Sequence, residues 1–519
     1  MTATAEQRAA DPAAGLTAQP LWPHQVAAFE AVRDRRACLI DGDMGSGKTA
    51  AAVALLEADM RCGGYDPEPV KHPYRVLVLA PKSVLGVWPR EIASHATSGW
   101  TTWNGDVTSR TTGKPIRNPS VARRAEALIE ATKNAGLLRR PFMAVVGYEA
   151  SWQGDMARLL LGTPWDALIT DESHRLKSPS GKASKHAAQI AARVRARGGR
   201  VLALTGTPMP HSPLDLWGQA RVLDGGAALG TSYHRFCQRY GKGETIWAPG
   251  GIQRTVYKGI RDDVIADFTE RIAPLIHRIP REGLDAWLGL PDAIDVYRSA
   301  ELDPATKKVY DDLESDLISR VGEGAITAAN AMVLVLRLAQ VASGYAPTID
   351  VDGQRGDAVR LSKHPLPEKA RLLADVLEDL PVREPIVVFC RFHHDLDAVE
   401  QVATAQGRRY GELSGRRRGG LTPEARMCPN VDVLGCQIKS GGVGIDLTRA
   451  RYGIYYTLGF ELADYLQSRK RLHRPGQTRP VTYVHLLAED TVEQSIYGAL
   501  RSRQQVVDTV LSHLGGTPR

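Results

Sequence analysis

The residues best suited to chemistry form a glycine-rich loop, GDMGSGKT, at positions 42–49. A strand-like run, RACLI, leads into the loop, and TAAAVALLEADM after it is typical of a helix. Glycines let the backbone curl around phosphate oxygens, and a helix N-terminus adds partial positive charge. We expect Lys48 to reach the β- and γ-phosphates of a nucleotide, and Thr49 to hold Mg²⁺. The predicted nucleotide contacts are Gly42, Gly45, Ser46, Gly47, Lys48 and Thr49.

An acidic pair ends the apolar run in WDALITDESH, at residues 165–174. Phosphoryl transfer requires a carboxylate for the metal and a group that orients the attacking water. A strand here would place both carboxylates at the carboxyl edge of a sheet, where ligands of open α/β folds bind. We expect Asp171 to hold the metal and Glu172 to act as general base. Without the glycine loop, the same pair would be interpreted as a helix N-cap.

The elements that must position these residues form two series of strand-like runs alternating with helical stretches. The first contains RACLI, RVLVLAP, PFMAVVGYE, DALITDES and RVLALTGTP, and the second contains PIVVFCRF, VDVLGC, YGIYYTLG and VTYVHLL. This alternation is typical of parallel sheets wrapped by helices, and strand-like runs are scarce between the two series. We predict an α/β protein with a disordered lead-in at 1–19, lobe 1 at 20–227, a helical insert and linker at 228–365, and lobe 2 at 366–519.

Composition narrows the class of protein further. The net charge is +8, which is compatible with a polyanionic partner. The six cysteines are scattered without zinc-ligand spacing, so neither a disulfide framework nor a metal cluster is indicated. No apolar stretch approaches the roughly 20 residues that span a bilayer, and the N-terminus lacks a signal-peptide pattern. We therefore expect a cytoplasmic protein without a membrane partner.

GDMGSGKT, DESHRLK and LTGTP, in this order, resemble the Swi/Snf-like branch of superfamily-two helicases and translocases. The other segments that match the family are LWPHQ, APKSVLGVWPREI, GYEASW, PLDLWGQ, YHRFCQRY, VVFCRF, ELSGRRRGG, KSGGVGIDLT and QSRKRLHRPGQ. The resemblance covers nearly the whole chain and is closest to small bacterial or phage-type members. It implies two RecA-like lobes that use ATP and Mg²⁺ to move along nucleic acid, with duplex DNA favoured.

The resemblance also implies roles around the nucleotide. Gln25 would read the adenine edge, and Gly444 and Asp446 would contact the nucleotide from lobe 2. Arg471 and Arg474, in the basic run QSRKRLHRPGQ, would be arginine fingers, with Gln477 orienting water or sealing the cleft. Asp446 stands where the family usually has Asn, so we expect it to face a cation such as Arg471 or Arg474. For Arg469 and Lys470 we expect only a solvated helix face.

Further predicted roles concern the nucleic acid and the coupling of its movement to ATP hydrolysis. His174, Thr205 and Thr207 would couple the ATP site to the nucleic acid. The predicted nucleic-acid contacts are Lys82, Ser83 and Tyr148 in lobe 1, with Arg391, Ser414, Arg416 and Ser440 in lobe 2. Ordinary surface or turn chemistry is the alternative for each contact.

Three other functions stay open at this point. The first is a helicase that separates DNA or RNA strands. The second is the motor subunit of a restriction, defence or repair assembly, in which a protein partner supplies targeting or nuclease activity. The third is a scaffold that binds ATP only as a conformational switch. Lys48, Glu172 and Arg471 argue against the switch, because a switch need not retain every hydrolytic group.

Overall fold

Strands alternate with helices along most of the chain, as the computed structural model shows for residues 13–43, 45–61, 73–108, 114, 116, 119–248, 252–279, 290–322, 328–346, 358–362, 364–417, 419–422, 426–438 and 445–514. The strands are β1 (Ala37–Asp41), β2 (Arg75–Ala80), β3 (Thr101–Trp103), β4 (Phe142–Gly147), β5 (Ala167–Asp171), β6 (Arg200–Thr205), β7 (Gly241–Ala248), β8 (Ile252–Ile260), β9 (Ile276–Arg278), β10 (Ala293–Ala300), β11 (Tyr345–Ala346), β12 (Val359–Arg360), β13 (Ile386–Cys390), β14 (Tyr410–Leu413), β15 (Val433–Gln437), β16 (Tyr452–Tyr455) and β17 (Val481–Ala488).

The α-helices of the described residues are α1 (Pro23–Arg33), α2 (Lys48–Arg61), α3 (Val87–His95), α4 (Val121–Leu137), α5 (Tyr148–Ser151), α6 (Gly154–Gly162), α7 (Lys182–Ala196), α8 (Leu216–Asp224), α9 (Tyr233–Tyr240), α10 (Ile265–Ile272), α11 (Pro304–Gly322), α12 (Ala328–Ala342), α13 (Glu368–Glu378), α14 (His393–Ala405), α15 (Leu462–Leu472) and α16 (Val492–Leu514). Among these helices, none is both long and apolar enough to cross a membrane.

The chain divides into two compact units, and the first comprises Met1–Lys242, Lys258–Glu282 and Val507–Arg519. Its described strands form a seven-stranded sheet in the order β3-β4-β2-β5-β6-β1-β9, with every pair parallel. The central strands are continuously apolar because helices cover both faces of such a sheet. Strands β5, β6 and β1 are neighbours, so the segments that follow them meet at one carboxyl edge. Those segments contain the acidic pair, the LTGTP turn and the glycine loop.

The second unit comprises Gly243–Tyr257 and Gly283–Val506. Its described strands form a six-stranded parallel sheet in the order β10-β17-β16-β13-β15-β14. Two apolar clusters form its core, one including Phe389, Leu434 and Tyr455, and the other including Leu373, Val388 and Ile454. The prediction of two parallel-sheet α/β lobes is confirmed.

The segment 228–365 is not a helical insert alone, so the expectation that strands are scarce there is wrong. It contains the β7–β8 hairpin, and it also supplies an outer strand to each large sheet, β9 to the first and β10 to the second. Both outer strands lack a long apolar run, since β9 has three residues and β10 reads AIDVYRSA with several exposed side chains. The domain boundaries themselves stay predictions.

The lead-in is partly ordered. Residues 1–12 lie outside the described residues, but Ala13 is 1% exposed, and Thr17 forms a β-bridge with Ala96. The backbone N–H of Ala18 donates to the carbonyl of His95 at 2.7 Å. The predicted disorder is therefore wrong for residues 13–19, because these backbone contacts fix them to the first unit.

Arg469 is not part of a solvated helix face, which corrects the expectation for this residue. Its guanidinium forms a two-pronged ion pair with Asp295 on β10 and lies 4.0 Å from the ring centre of Tyr483. His485, which is fully buried, bonds the same carboxylate at 2.8 Å. Burial disfavours the charge on Asp295, but hydrogen bonds from His485 and Arg469 outweigh it and lower the pKa to about 2. Arg469 thus fastens the outer strand β10 to the rest of the sheet.

Candidate active site

The glycine loop adopts the conformation that its sequence predicts. Gly45 and Gly47 have φ angles of 85° and 74°, in the left-handed region where a side chain is strained. Lys48 is the first residue of α2, and its ammonium donates to the backbone carbonyls of Gly42 and Asp43, the latter at 2.9 Å. The hydroxyl of Ser46 is buried without a hydrogen-bond partner among the described residues. The loop therefore presents a cation and a helix N-terminus to the same point, as binding of phosphate requires.

Gln25 lies directly against this loop. Its Oε1 accepts from the N–H of Trp22 at 2.9 Å, and its Nε2 donates to the carbonyl of Ser46 at 3.4 Å. A Cβ on Gly47 would lie 1.9 Å from Gln25 Nε2, so any larger residue there would displace the Gln25 amide. Gln25 is 5% exposed, and in this structure it clamps the loop to the start of α1. Its contact with adenine stays a prediction.

The acidic pair ends β5 as predicted. Asp171 Oδ2 accepts from the indole N–H of Trp88 at 2.9 Å, and Oδ1 accepts from the backbone N–H of Glu172 at 2.9 Å. Burial, and then repulsion by Glu172, raise the pKa of Asp171 to about 6, while Trp88 and Lys48 oppose the rise. Trp88 belongs to the APKSVLGVWPREI segment, but sequence reasoning gave it no role. It could be found only by knowing that the Trp88 indole on α3 reaches the end of β5.

Glu172 occupies a strained backbone position. Its φ is 50°, in the left-handed region that non-glycine residues rarely adopt, and it is 6% exposed. Burial disfavours its charge, but the hydrogen bond and charge of His174 and the charge of Lys48 outweigh this and lower its pKa. A buried carboxylate kept ionised at this point can accept a hydrogen bond from an attacking water and orient it. The helix N-cap alternative does not describe it, since its side chain caps no helix here.

The three predicted coupling residues lie together. His174 Nδ1 is 3.3 Å from Glu172 Oε2, 3.1 Å from Thr205 Oγ1 and 3.4 Å from Thr207 Oγ1. The N–H of Thr207 donates to the hydroxyl of Thr205 at 3.1 Å, which fixes the turn after β6. We call the set Glu172, His174, Thr205 and Thr207 the histidine link. The Nδ1 atom of one imidazole thus lies within ion-pair distance of the acid of the ATP site and within hydrogen-bond distance of the LTGTP turn.

The donor set fits a nucleotide with magnesium. Mg²⁺ prefers oxygen ligands, and the Asp171 carboxylate and the Thr49 hydroxyl supply them at the ends of β5 and of the glycine loop. Lys48 and the loop amides supply the complementary cation and donors for phosphate. Among the described residues, no cluster of three or more His, Cys, Asp or Glu side chains could bind a metal by itself.

The predicted fingers lie in the second unit, and their environments differ. Arg471 is 3% exposed, and its Nε and Nη1 atoms have no hydrogen-bond partner among the described residues. Burial lowers its pKa, while the nearby Cys436 thiol and Asp464 carboxylate oppose that effect. Arg474 is half-buried and reaches the carbonyl of Ile445 at 3.5 Å. Both remain predicted fingers.

Gln477 and Asp446 have local partners. Gln477 Nε2 donates to the carbonyls of Thr448 and Ala450, each at 3.0 Å, and Oε1 accepts from two backbone N–H groups. Its amide holds a turn together in this structure, and its role in orienting water or sealing the cleft stays a prediction. Asp446 accepts from Thr448, and its carboxylate forms an ion pair with Arg426 at 3.7 Å. The expected cation, Arg471 or Arg474, is therefore replaced by Arg426. Gly444 lies outside the described residues.

Among the predicted nucleic-acid contacts in the first unit, Lys82 is the residue whose position best suits that role. It is exposed just after β2 and lines a cleft with Asn104, Arg124 and Gly147. Ser83 shares the 3-10 turn Lys82–Val84, and its side chain lies outside the description. Tyr148 is 3% exposed, and its hydroxyl donates to the carbonyl of Asp171 at 2.7 Å. Tyr148 therefore supports the acidic pair, which corrects its predicted contact with the track.

In the second unit, two of the predicted contacts are occupied by neighbouring side chains. Ser414 is 2% exposed and donates to Glu412 at 2.6 Å, and Arg416 forms ion pairs with Glu412 and Asp397. Because these carboxylates neutralise Arg416 and burial covers Ser414, neither is free for a phosphate in this structure. Arg391 is half-buried beside Gly459, and its contact stays a prediction. Ser440 lies outside the described residues.

Two parallel-sheet lobes, a phosphate-binding loop and an acid pair joined to the next strand define a helicase-type ATPase. Comparison with known proteins agrees: the SNF2-related domain matches residues 22–342, and the helicase conserved C-terminal domain matches 368–476. The chain belongs to the SNF2-related family and is an ATP-dependent motor enzyme.

Two similar proteins and one solved structure are among the matches. Protein p41 of Acyrthosiphon pisum secondary endosymbiont phage 1 is 27% identical, over 94% of this chain and 97% of that protein. The chromodomain-helicase-DNA-binding protein 1-like of Danio rerio is 24% identical, but the chain spans only 44% of its length. A solved structure, the Sulfolobus solfataricus SWI2/SNF2 ATPase core in complex with dsDNA, is 20% identical, with a TM-score of 0.38, covering 96% of this chain and 94% of that one.

Proposed function

We propose that this protein uses the hydrolysis of ATP to translocate on duplex DNA without needing to separate the strands. The observation that carries the proposal is the histidine link, because a nucleotide site needs such a connection only when it drives something else. A strand-separating helicase would use the same ATP site, but no feature of the described residues favours it. The scaffold alternative is disfavoured because Glu172 is held ionised and strained at the site of hydrolysis.

The chemistry assigned to this chain follows from the site. Lys48 and the loop amides bind the phosphates, and Asp171 and Thr49 would hold the Mg²⁺, which neutralises developing charge on the phosphoryl oxygens. Glu172 accepts a proton from the attacking water. By the family resemblance, Arg471 and Arg474 would stabilise the charge of the transition state. His174 then transmits the state of Glu172 to Thr205 and Thr207.

Support for DNA as the track comes from the relatives and from charge. The Danio rerio relative is named as a DNA-binding helicase, and the net charge of +8 favours a polyanion. Lys82 supplies an exposed cation next to the sheet edge that carries the ATP site. The candidate contacts include no element that reads bases, so binding should depend on phosphates rather than on sequence.

Two parallel assays test the proposal. The ATPase rate is measured with single-stranded DNA, duplex DNA and RNA in turn, and the same protein is given a triplex-displacement substrate and a forked duplex. We expect duplex DNA to stimulate most, with displacement of the third strand and little unwinding of the fork. Efficient unwinding with no triplex displacement would replace this proposal by the helicase alternative.

A protein partner that supplies targeting or nuclease activity is a further proposal. Copurification from the native cell followed by mass spectrometry would identify such a partner. A motor that copurifies alone, and retains full activity alone, would argue against it.

A further inference from the structure

A second connection joins the acidic pair to the LTGTP turn, and it runs through Gln219. This residue lies in the middle of α8, within the PLDLWGQ segment, and is 1% exposed. Ser173 Oγ donates to Gln219 Oε1 at 2.7 Å, and Gln219 Nε2 donates to the carbonyl of Pro208 at 2.7 Å. One amide therefore joins the residue after Glu172 to the residue after Thr207. We call this pair of hydrogen bonds the glutamine link.

The helix that carries Gln219 is held firmly against the acidic motif. A Cβ on Gly218 would lie 2.3 Å from the carbonyl oxygen of Leu176 and 2.8 Å from that of Lys177. Backbone therefore packs on backbone, which leaves no room for the helix to approach further. Gln219 Nε2 also contacts the carbonyl of Asp215 at 3.2 Å, one turn earlier in the same helix. The Gln219 amide is thus held in place between the segment that contains Ser173 and the turn that contains Pro208.

The position of Glu172 explains why two links are needed. A non-glycine residue with a φ of 50° persists only where its surroundings over-determine it. The histidine link acts on the side chain of Glu172, whereas the glutamine link acts on the backbone through Ser173, which is fully buried. A movement of the turn that contains Pro208 would therefore change both the side-chain contact of Glu172 with His174 and the backbone position of Glu172.

We propose that Gln219 is a positioning residue that couples the LTGTP turn to the backbone of Glu172. The inference rests on the proposed function, because it assigns to Gln219 the transmission of track binding to hydrolysis. Gln219 touches neither ATP nor nucleic acid. Gln219 sets the geometry of Glu172 when bound nucleic acid holds the LTGTP turn. Its contribution is therefore greatest when nucleic acid stimulates ATP hydrolysis.

The test compares Gln219→Leu, which removes both hydrogen bonds at similar volume, with Gln219→Glu, which can accept from Ser173 but, when ionised, cannot donate to Pro208. Each variant is assayed for basal and stimulated ATPase, for the KM of ATP and for nucleic-acid affinity. The stimulating ligand is whichever of single-stranded DNA, duplex DNA or RNA stimulates the wild type most. Failure of the duplex preference therefore leaves this test intact.

We expect the stimulated kcat of both variants to fall about 10- to 100-fold, because small misplacements of a catalytic group have effects of that order. The basal rate should change less than about threefold, and the KM of ATP should be unchanged because the glycine loop is untouched. Ser173→Ala should lower the ratio of stimulated to basal rate as Gln219→Leu does, and the double variant should be no worse than the single ones.

Ser184→Ala is the matched control. Ser184 Oγ donates to the carbonyl of Leu176 at 2.9 Å, so this variant also removes a buried hydrogen bond to the acidic motif but does not touch the LTGTP turn. Its ratio of stimulated to basal rate should equal that of the wild type. Equal ratios in Gln219→Leu and the wild type, or an equal loss in Ser184→Ala, would reduce Gln219 to a structural residue and overturn the proposal.

Discussion

Replacing Arg471 by methionine should stabilise the second unit while it abolishes most of the ATPase activity. The structure buries the Arg471 guanidinium with Nε and Nη1 lacking hydrogen-bond partners among the described residues. Each buried, unsatisfied donor costs about 1–3 kcal/mol, so two cost about 2–6 kcal/mol. Methionine fills similar volume without polar atoms, and it loses the contact with the Cys436 thiol, the attraction of the Asp464 carboxylate and some packing.

We therefore expect Arg471→Met to raise the free energy of unfolding by about 1–4 kcal/mol, after subtracting lost packing. For a unit of this size, the unfolding midpoint rises by about 2–4 °C for each kcal/mol. Differential scanning calorimetry measures the midpoint. ATPase at saturating nucleic acid should fall by at least about 10³-fold, because the forked cation that meets the transferring phosphoryl group is gone. Binding of ATP, which depends on the glycine loop, should survive.

Arg408→Met provides the matched comparison in the same unit. Arg408 is 4% exposed, and its guanidinium donates to the backbone carbonyls of Leu377, Leu380, Pro381 and Val382. Removing it leaves these carbonyls without their partner, so we expect a loss of about 2–4 kcal/mol and little change in the ATPase rate of the folded protein. If Arg471→Met behaves like Arg408→Met, with lower stability and normal ATPase, Arg471 is a structural residue and the reasoning fails.

Three further predictions concern the ATP site, pH and salt. Lys48→Ala should abolish ATP turnover because it removes the phosphate-binding cation, whereas Glu172→Gln should retain nucleotide binding and block hydrolysis. Equilibrium binding with a fluorescent nucleotide, beside the ATPase rate, separates the two, and wild-type turnover by Glu172→Gln would exclude it as the base. Asp295, with a folded pKa of about 2, contributes stability above its unfolded pKa of about 4 and loses it as pH falls through that window. Because the Asp295 side chain is 33% exposed, we expect the free energy of unfolding to fall by only about 1–2 kcal/mol between pH 5 and about pH 2.5, as measured by urea unfolding. Asp295→Asn should remove this dependence. A variant with the same pH profile as the wild type would contradict the prediction. Nucleic-acid affinity should fall steeply with salt and vary little with sequence, so a strong sequence preference at physiological salt in a titration series would count against phosphate contacts.

The sequence by itself determined the chemistry of the ATP site. The glycine loop and the acidic pair are each encoded in one contiguous stretch, in which a strand, a turn and a helix follow one another. Local backbone geometry therefore places Lys48 at the start of α2 and the acidic pair at the end of β5, whereas the strained backbone of Glu172 depends on distant residues such as Gln219. Continuous apolar runs also predicted β1, β2, β5 and β6, because strands that are buried on both faces must be apolar at every position.

Only the tertiary structure decided which distant polar residues meet. Arg469 and Asp295 are 174 positions apart, and a basic run alone gives no sign that one member enters an ion pair. The same holds for Asp446 with Arg426 and for Ser173 with Gln219. The outer strands β9 and β10 escaped prediction because one edge faces away from the sheet, which removes the need for a long apolar run. A polar side chain is compatible with water, with a ligand or with a buried partner, and only packing in three dimensions selects among them.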